Sequence, residues 1–173
     1  MTGGPSTLAL LDAFMAADKR IIGADKEPPF QIGYSRFERV AKYPLEIAGE
    51  QPGAHFTVTC NPGRPPPFFR LQILFPAAVA RLDFTDEYHV NSQREPLDGI
   101  GYSVRGPHYH SWPINRRFYK SISKPVELEN AIPLPDCGRT FDAVLRWFCQ
   151  DNKIESLPAN HQIALPMRKS LFD

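Results

Sequence analysis

The segment His108-Tyr109-His110 has the clearest potential for chemistry in this sequence. In an extended strand, alternate side chains share a face, so both imidazoles would lie on one face about 7 Å apart, with Tyr109 on the other. Two imidazoles suit a metal site, which needs neutral nitrogen ligands on a rigid strand, or acid–base catalysis by groups with a pKa near neutrality. His89 follows a predicted strand and is the candidate third histidine.

Metal-free RNA cleavage is the first chemistry that these residues suggest. It requires a base for the 2′-hydroxyl proton, an acid for the leaving oxygen and cations around the phosphate. The candidate catalytic residues are His108, His110, His89 and Arg105. Histidines that are simply hydrogen-bonded in half-buried strands are the ordinary structural alternative.

A three-histidine zinc or iron centre is the other chemical alternative. A histidine–x–histidine pair is by itself a common pattern, however, and the neighbouring arginines produce a field that disfavours another cation. The sequence therefore predicts no bound metal and no cofactor.

A basic and aromatic window surrounds the two histidines. Residues 101–124 contain five Lys or Arg and no Asp or Glu, so this window carries +5 in a chain whose formal net charge is +1. Cations pair with phosphates, and flat rings stack on unpaired bases, at about 1–3 kcal/mol per base. The candidate RNA- or partner-binding residues are Tyr102, Tyr109, Trp112, Arg116, Arg117, Tyr119 and Lys120.

If this window forms the working surface, substitution of Trp112 or Arg116 should impair function with little loss of stability. The structural alternative is a pair of edge strands that bury their rings on one side and solvate their cations on the other.

Three function classes remain open. The leading hypothesis is a small toxin-like RNA-binding protein, with metal-independent endoribonuclease as its candidate activity and a partner such as an antitoxin covering the surface. The second is a noncatalytic phage or mobile-element inhibitor that presents the same arginines and rings to a target protein, because Trp, Tyr and Arg dominate interface hot spots. The third is a histidine-ligated, metal-dependent enzyme.

A second polar group falls on two other predicted strands. Arg81 and Asp83 alternate with apolar residues and so share a strand face, and Arg70 on a neighbouring strand can join them. An ordinary cross-strand ion pair accounts for all three side chains.

The elements that position these residues are mostly strands. Period-two alternation predicts three of them, at Phe56–Cys60, Phe69–Phe75 and Ala80–Phe84. Proline and glycine in the connections favour an antiparallel meander. Weaker strand signals, which bring the total to five or six, lie at Gln31–Val40, Ile100–Val104 and Pro107–Trp112.

Two amphipathic helices flank the strands. One covers about residues 6–20, and the other covers about 140–152, with Thr140 as N-cap and Asp142 in the first turn. This order predicts an α+β fold, in which both helices pack on one face of a twisted antiparallel sheet. We expect a single domain over residues 1–173 that is strand-rich between 31 and 122, with a tail at 156–173 that wraps the body or stays mobile.

Composition excludes several protein classes. The 173 residues, 42% of them hydrophobic, are typical of one compact domain. Apolar runs fall short of the roughly 18–20 residues that span a bilayer, so we expect no membrane partner. The first segment lacks the basic start of a secretory signal, which favours a cytoplasmic location. Three isolated cysteines are predicted to stay reduced.

Several short segments together resemble one domain family of unknown function, made up of small bacterial proteins. The matching pieces are Asp18-Lys19 at the end of the first helix, Arg81-Leu82-Asp83, His89-Val90-Asn91, Gly106-Pro107-His108-Tyr109-His110, and Phe148-Cys149 with Asn152. The chain departs from the family pattern at Ser92, where a proline is expected, and at residues 112–120.

The resemblance implies a single α+β bacterial domain in which His89 lies near the histidine strand. It also points to toxin-type or mobile-element accessory proteins, and it implies no established activity.

Overall fold

The structure is a computed structural model that describes residues 7–63, 68–92, 100–119 and 127–166. Its helices are α1 (Thr7–Ala16), α2 (Trp112–Arg116) and α3 (Phe141–Asp151). Its strands are β1 (Arg20–Ile21), β2 (Gln31–Ile32), β3 (Arg39–Glu46), β4 (His55–Cys60), β5 (Phe69–Phe75), β6 (Ala77–Phe84), β7 (Tyr88–Val90), β8 (Ser103–Arg105), β9 (His108–His110) and β10 (Ile132–Pro133).

Antiparallel pairing organises these strands into one large sheet and one small ribbon. The sheet runs in the order β1-β3-β4-β5-β6-β9-β10, with β2 paired to β3, while β7 and β8 form the separate ribbon. Strands β3 to β6 pair in chain order, as the turn-forming connections predict. The predicted α+β fold, with helices in the N-terminal and C-terminal parts, is confirmed.

One face of the sheet is apolar and carries the two longer helices. Its centre is formed by fully buried residues of β4, β5 and β6, namely Phe56, Val58, Leu71, Ile73 and Leu82. Helix α1 stacks Phe14 on Phe75, with ring centroids 4.2 Å apart, and α3 sets Phe148 6.1 Å from Phe56. Because strand side chains alternate, polar residues of the same strands lie on the opposite face.

Helix α1 ends at Ala16, earlier than the predicted end near residue 20, and Lys19 lies beyond the helix with a buried side chain. Its backbone N–H donates to Lys153 O, and its buried Nζ donates to Met15 O, Ala17 O and Asn152 O. Burial lowers the pKa of this amine to about 8. Lys19 therefore supplies hydrogen bonds to carbonyls at the C-terminal ends of both α1 and α3.

The structure has more strands than the five or six predicted, because β1, β2 and β10 contain two residues each and show no period in the sequence. The predicted strand at residues 107–112 is also shorter. Strand β9 ends at His110, and Ser111 caps the short helix α2, whose second residue is Pro113. Serine at the N-cap followed by proline in the first turn favours a helix start over a continued strand.

Other parts of the chain complete the fold. Thr140 caps α3 as predicted, since its side-chain oxygen accepts from Ala143 N. The described part of the C-terminal tail packs on the body through buried Leu157 and Ile163, and Gln162 N donates to Ala24 O. Residues 167–173 lie outside the described part of the chain.

Among the described residues, no helix has the length and apolar character needed to cross a membrane.

Candidate functional site

Cross-strand register brings ionisable side chains together on the polar face of the sheet. Asp83 lies opposite Arg70 on β5 and opposite His108 on β9. Arg81, two residues from Asp83 on β6, lies opposite His110. Directly opposed residues have Cβ atoms about 4.5–5.5 Å apart, so these five side chains form one contiguous patch.

The β7–β8 ribbon adds a third imidazole to the patch. Tyr88 and Val90 are each 65% exposed, whereas His89 between them is half-buried, so His89 lies on the side of the ribbon that faces the sheet. Its ring centroid is 5.2 Å from that of His108 and 4.6 Å from that of His110. The rings of His108 and His110 are 5.2 Å apart. The structure thus brings together the three histidines predicted as catalytic.

The ribbon is held in place by the segment that leads into β10. Buried Asn91 donates from Nδ2 to Ala131 O at 2.9 Å, and Ala131 N donates back to Asn91 Oδ1 at 2.7 Å. His89 Nε2 lies 2.9 Å from Glu129 O. These side-chain bonds connect the ribbon to the segment before β10, where no strand-to-strand backbone pairing is formed between described residues, and they fix His89 over the sheet.

Two backbone carbonyls define the proton positions on His89 and His108. His89 Nε2 pairs with Glu129 O, and His108 Nδ1 lies 2.8 Å from Gly106 O. A carbonyl only accepts, so these nitrogens carry the protons and the lone pairs of the neutral rings are on His89 Nδ1 and His108 Nε2. Gly106 turns the chain between β8 and β9 at φ +81°, a conformation that favours glycine.

His110 is buried and has incomplete hydrogen bonding. Its Nε2 lies 2.7 Å from Arg81 Nη2, and because a guanidinium only donates, Nε2 accepts and the ring proton is on Nδ1. Among the described residues, His110 Nδ1 has no hydrogen-bond partner. A buried donor without a partner costs about 1–3 kcal/mol, so the described residues do not fully satisfy this ring.

Asp83 is the buried anion of the patch. Its Oδ1 accepts from Arg70 Nε, and its Oδ2 accepts from Arg81 Nε at 2.7 Å. The same Oδ2 lies 3.5 Å from Nε2 of both His108 and His110. Burial disfavours the charge, but the two guanidinium groups outweigh burial and hold the pKa of Asp83 well below its ordinary value. Asp83 is therefore ionised at neutral pH.

The two strand histidines are neutral at the same pH. Burial lowers the pKa of His110 to about 4 against the opposing effect of Asp83, and burial also lowers the pKa of His108. Neutral imidazole is the form that binds metals. A pKa near 4 makes His110 a poor proton donor near pH 7, which disfavours the acid–base role predicted for this pair.

The three imidazoles approach the geometry of a metal centre. One nitrogen from each ring lies within 4.8 Å of the other two. Nitrogen ligands of a tetrahedral zinc, each about 2.0–2.1 Å from the ion, are about 3.4 Å apart, so these rings would close by up to about 1.4 Å on an ion. Asp83 offsets part of the positive charge beside the histidines, because it pairs with both Arg70 and Arg81.

Contrary to the prediction of an exposed binding surface, the rings of Tyr109 and Trp112 are buried. Tyr109 projects into the apolar face, where its ring packs edge-on against Trp147 at 5.0 Å and its Oη donates to Asp151. Trp112 is 4% exposed, and its Nε1 donates to Asp12 Oδ1 at 2.8 Å. Neither ring is free to stack on a base.

Arg116 has a structural contact as well. Its Nε donates to both carboxylate oxygens of Asp12 at 2.9 and 3.0 Å, beside the Trp112 bond, so these two residues attach α2 to α1. The burial of Trp112 argues against the expectation that it can be replaced with little loss of stability. In place of the predicted strand, α2 begins there, and its first residue is packed into the core.

The other predicted residues lie apart from the histidines. Arg105 is opposite Tyr88 on the outer side of the ribbon, so it is not among the groups around the imidazoles, and Tyr102 is also exposed. Arg117 is exposed, whereas Tyr119 is half-buried and stacks on Trp112 with centroids 6.2 Å apart. Lys120 lies outside the described residues.

Sequence reasoning missed the groups that surround the histidines. Arg70, Arg81 and Asp83 are recognisable in the sequence as a polar patch, but only the pairing of β6 with β9 shows that the patch adjoins His108 and His110. Asn91 carries no periodic signal, and its role depends on contacts 40 residues away in the chain.

Comparison with known proteins adds no functional information to this geometry. No protein-family model, no curated protein and no solved structure matches the chain. The resemblance noted from the sequence stays a prediction, and a function has to be argued from the site itself.

The burial of Trp112 leads to a first test. We expect Trp112→Ala to lower the free energy of unfolding by about 3–5 kcal/mol, measured by urea denaturation, because it leaves a cavity and removes a hydrogen bond to Asp12. Tyr102→Ala, at a position 54% exposed, is the matched control and should change it by no more than about 0.5 kcal/mol. Equal effects of the two substitutions would contradict this placement.

Proposed function

We propose that this protein is a metal-dependent enzyme in which His89, His108 and His110 hold a divalent first-row metal ion such as zinc or iron. The observation that carries the proposal is that one nitrogen of each imidazole lies within 4.8 Å of the other two. Three protein ligands with a further position open to water are typical of catalytic zinc, whereas structural zinc has four protein ligands. Imidazole is also a good ligand for iron, copper and nickel.

The hydrogen bonds around the rings support this proposal. A metal-binding histidine usually donates its second ring N–H to a carbonyl or a carboxylate, which orients the ring and fixes the tautomer. His89 does so to Glu129 O and His108 does so to Gly106 O. Both rings are therefore already in the tautomer that has a nitrogen free for an ion.

The contact between His108 and Asp83 gives further support. His108 Nε2 carries a lone pair and faces Asp83 Oδ2 at 3.5 Å. Two acceptors at this distance repel each other in a buried site, whereas a cation bound beside them attracts both. The low pKa of His108 makes a proton a poor candidate for that cation at neutral pH.

Hydrolysis is the reaction class that such a centre favours. An ion held by three histidines lowers the pKa of bound water to about 7 and so supplies hydroxide at neutral pH. The hydroxide oxygen would form a bond to a carbonyl carbon or a phosphorus atom, and the bond to the leaving group would break. The leaving group would take up a proton from solvent.

Metal content is the direct test of this proposal. Protein reconstituted with Zn²⁺ or Co²⁺ and then desalted should hold close to one ion per chain by elemental analysis. His89→Ala should weaken the affinity for the metal ion more than the loss of a residue that only hydrogen-bonds to a ligand, which typically costs roughly 10- to 100-fold, because this substitution removes a ligand itself. His89 is half-buried, so circular dichroism can check that the variant is folded.

His55→Ala is the matched control. His55 is another half-buried strand histidine, on β4, and it is not part of the imidazole cluster. It should leave the metal content unchanged. Equal metal loss in both variants, or no tightly held ion in the unsubstituted protein, would overturn the proposal.

RNA binding at the exposed residues of the β7–β8 ribbon and next to it is a second candidate function. Tyr88 and Tyr102 are both more than half exposed, and Arg105 lies opposite Tyr88. Rings beside a cation suit unpaired bases and phosphates. This candidate keeps the toxin-like RNA hypothesis but moves its surface away from Trp112 and Tyr109.

Labelled single-stranded RNA tests this second candidate. Affinity should fall steeply with salt, and Tyr102→Ala should weaken it about tenfold, since one stack is worth about 1–3 kcal/mol. Tyr34→Ala, at another exposed tyrosine, is the control and should have no effect. Absence of binding at low salt would remove the RNA candidate and leave a noncatalytic protein–protein role for this surface.

A further inference from the structure

The charges beside the imidazole cluster do not balance. Arg70 and Arg81 both make their ion pairs with Asp83. One carboxylate therefore compensates only one of two guanidinium groups. A divalent ion at the histidines would increase this positive excess.

Both arginines retain donors for a ligand. Arg70 uses Nε for Asp83, its two Nη groups have no hydrogen-bond partner among the described residues, and its side chain is 43% exposed. The Arg81 side chain is 26% exposed and extends from Asp83 to the His110 ring. Guanidinium forks match the oxygens of carboxylate and phosphate groups.

Arg81 also competes with a metal ion for one ligand atom. Its Nη2 occupies the lone pair of His110 Nε2 at 2.7 Å. An ion that binds this nitrogen has to displace Nη2, and the released donor then lies next to the ion. Two neighbouring positive groups repel each other unless an anion lies between them.

We propose that the centre takes an oxyanionic substrate, bearing a carboxylate or a phosphate group, with one oxygen on the open metal position and the others hydrogen-bonded by Arg81 and Arg70. This inference rests on the proposed metal centre. The ion and the oxyanion should then bind cooperatively. The oxyanion offsets the positive charge that opposes the ion, and the ion adds positive charge that attracts the oxyanion.

A cavity adjoins Arg70 and Asp83. It has a volume of about 240 Å³, and Arg70 and Asp83 form part of its wall together with Thr59 and Thr85. Glu38 also lines it, but Glu38 Oε2 already accepts from Tyr34 N. The space is sufficient for a small oxyanion to reach the Arg70 guanidinium.

Cobalt titration with and without anions tests the inference. Affinity for Co²⁺ is measured by calorimetry in chloride, acetate or inorganic phosphate at matched ionic strength. An effective oxyanion should raise this affinity about 5- to 150-fold, and Co²⁺ should raise the affinity for that anion by the same factor, because binding linkage is reciprocal. An effect of phosphate alone identifies a phosphate group, and an effect of acetate identifies a carboxylate.

Arginine variants connect the effect to the site. Arg70→Gln should abolish most of the anion effect and still bind one Co²⁺ per chain. Arg20→Gln, which removes a surface arginine paired with Glu46, is the matched control and should keep the full effect. One bound Co²⁺ with no anion dependence would overturn this inference while leaving the metal centre intact, whereas absence of Co²⁺ binding would overturn both.

Discussion

The burial of the Asp83 carboxylate is the constraint on which the site depends. Removing a carboxylate from water costs several kcal/mol unless charged and hydrogen-bonded partners replace the water. The pairing of β5 with β6 supplies Arg70 from the neighbouring strand, and Arg81 comes from the same strand face. Asp83 Oδ2 also faces His108 and His110, so the buried charge lies directly beside both imidazoles.

Strand alternation separates stability from chemistry in this fold. The apolar side chains of the central strands pack against α1 and α3, and the intervening side chains are left to form the polar patch on the other face. Strand β9 shows this separation in three consecutive residues. The Tyr109 ring packs against α3 in the core, while the flanking imidazoles of His108 and His110 face His89. The core thereby gives the site rigid support without contributing to its chemistry.

Local patterns predict the parts of this structure that depend on local geometry. Period-two alternation predicts β4, β5 and β6 and places His108 and His110 on one face, because it depends only on neighbouring residues. The same reasoning fails at Trp112, where Ser111 and Pro113 start a helix. It also gives no register between β6 and β9 and no role for Asn91, since these depend on contacts between distant segments.

X-ray absorption spectroscopy of the zinc-loaded protein tests the three-histidine centre, because it identifies the atoms bound to the ion. We expect three imidazole nitrogens about 2.0–2.1 Å from zinc, with one further oxygen from water or an anion. In His89→Ala, one imidazole should be missing from the spectrum. A spectrum dominated by sulfur or carboxylate ligands, or unchanged by His89→Ala, would contradict the three-histidine centre.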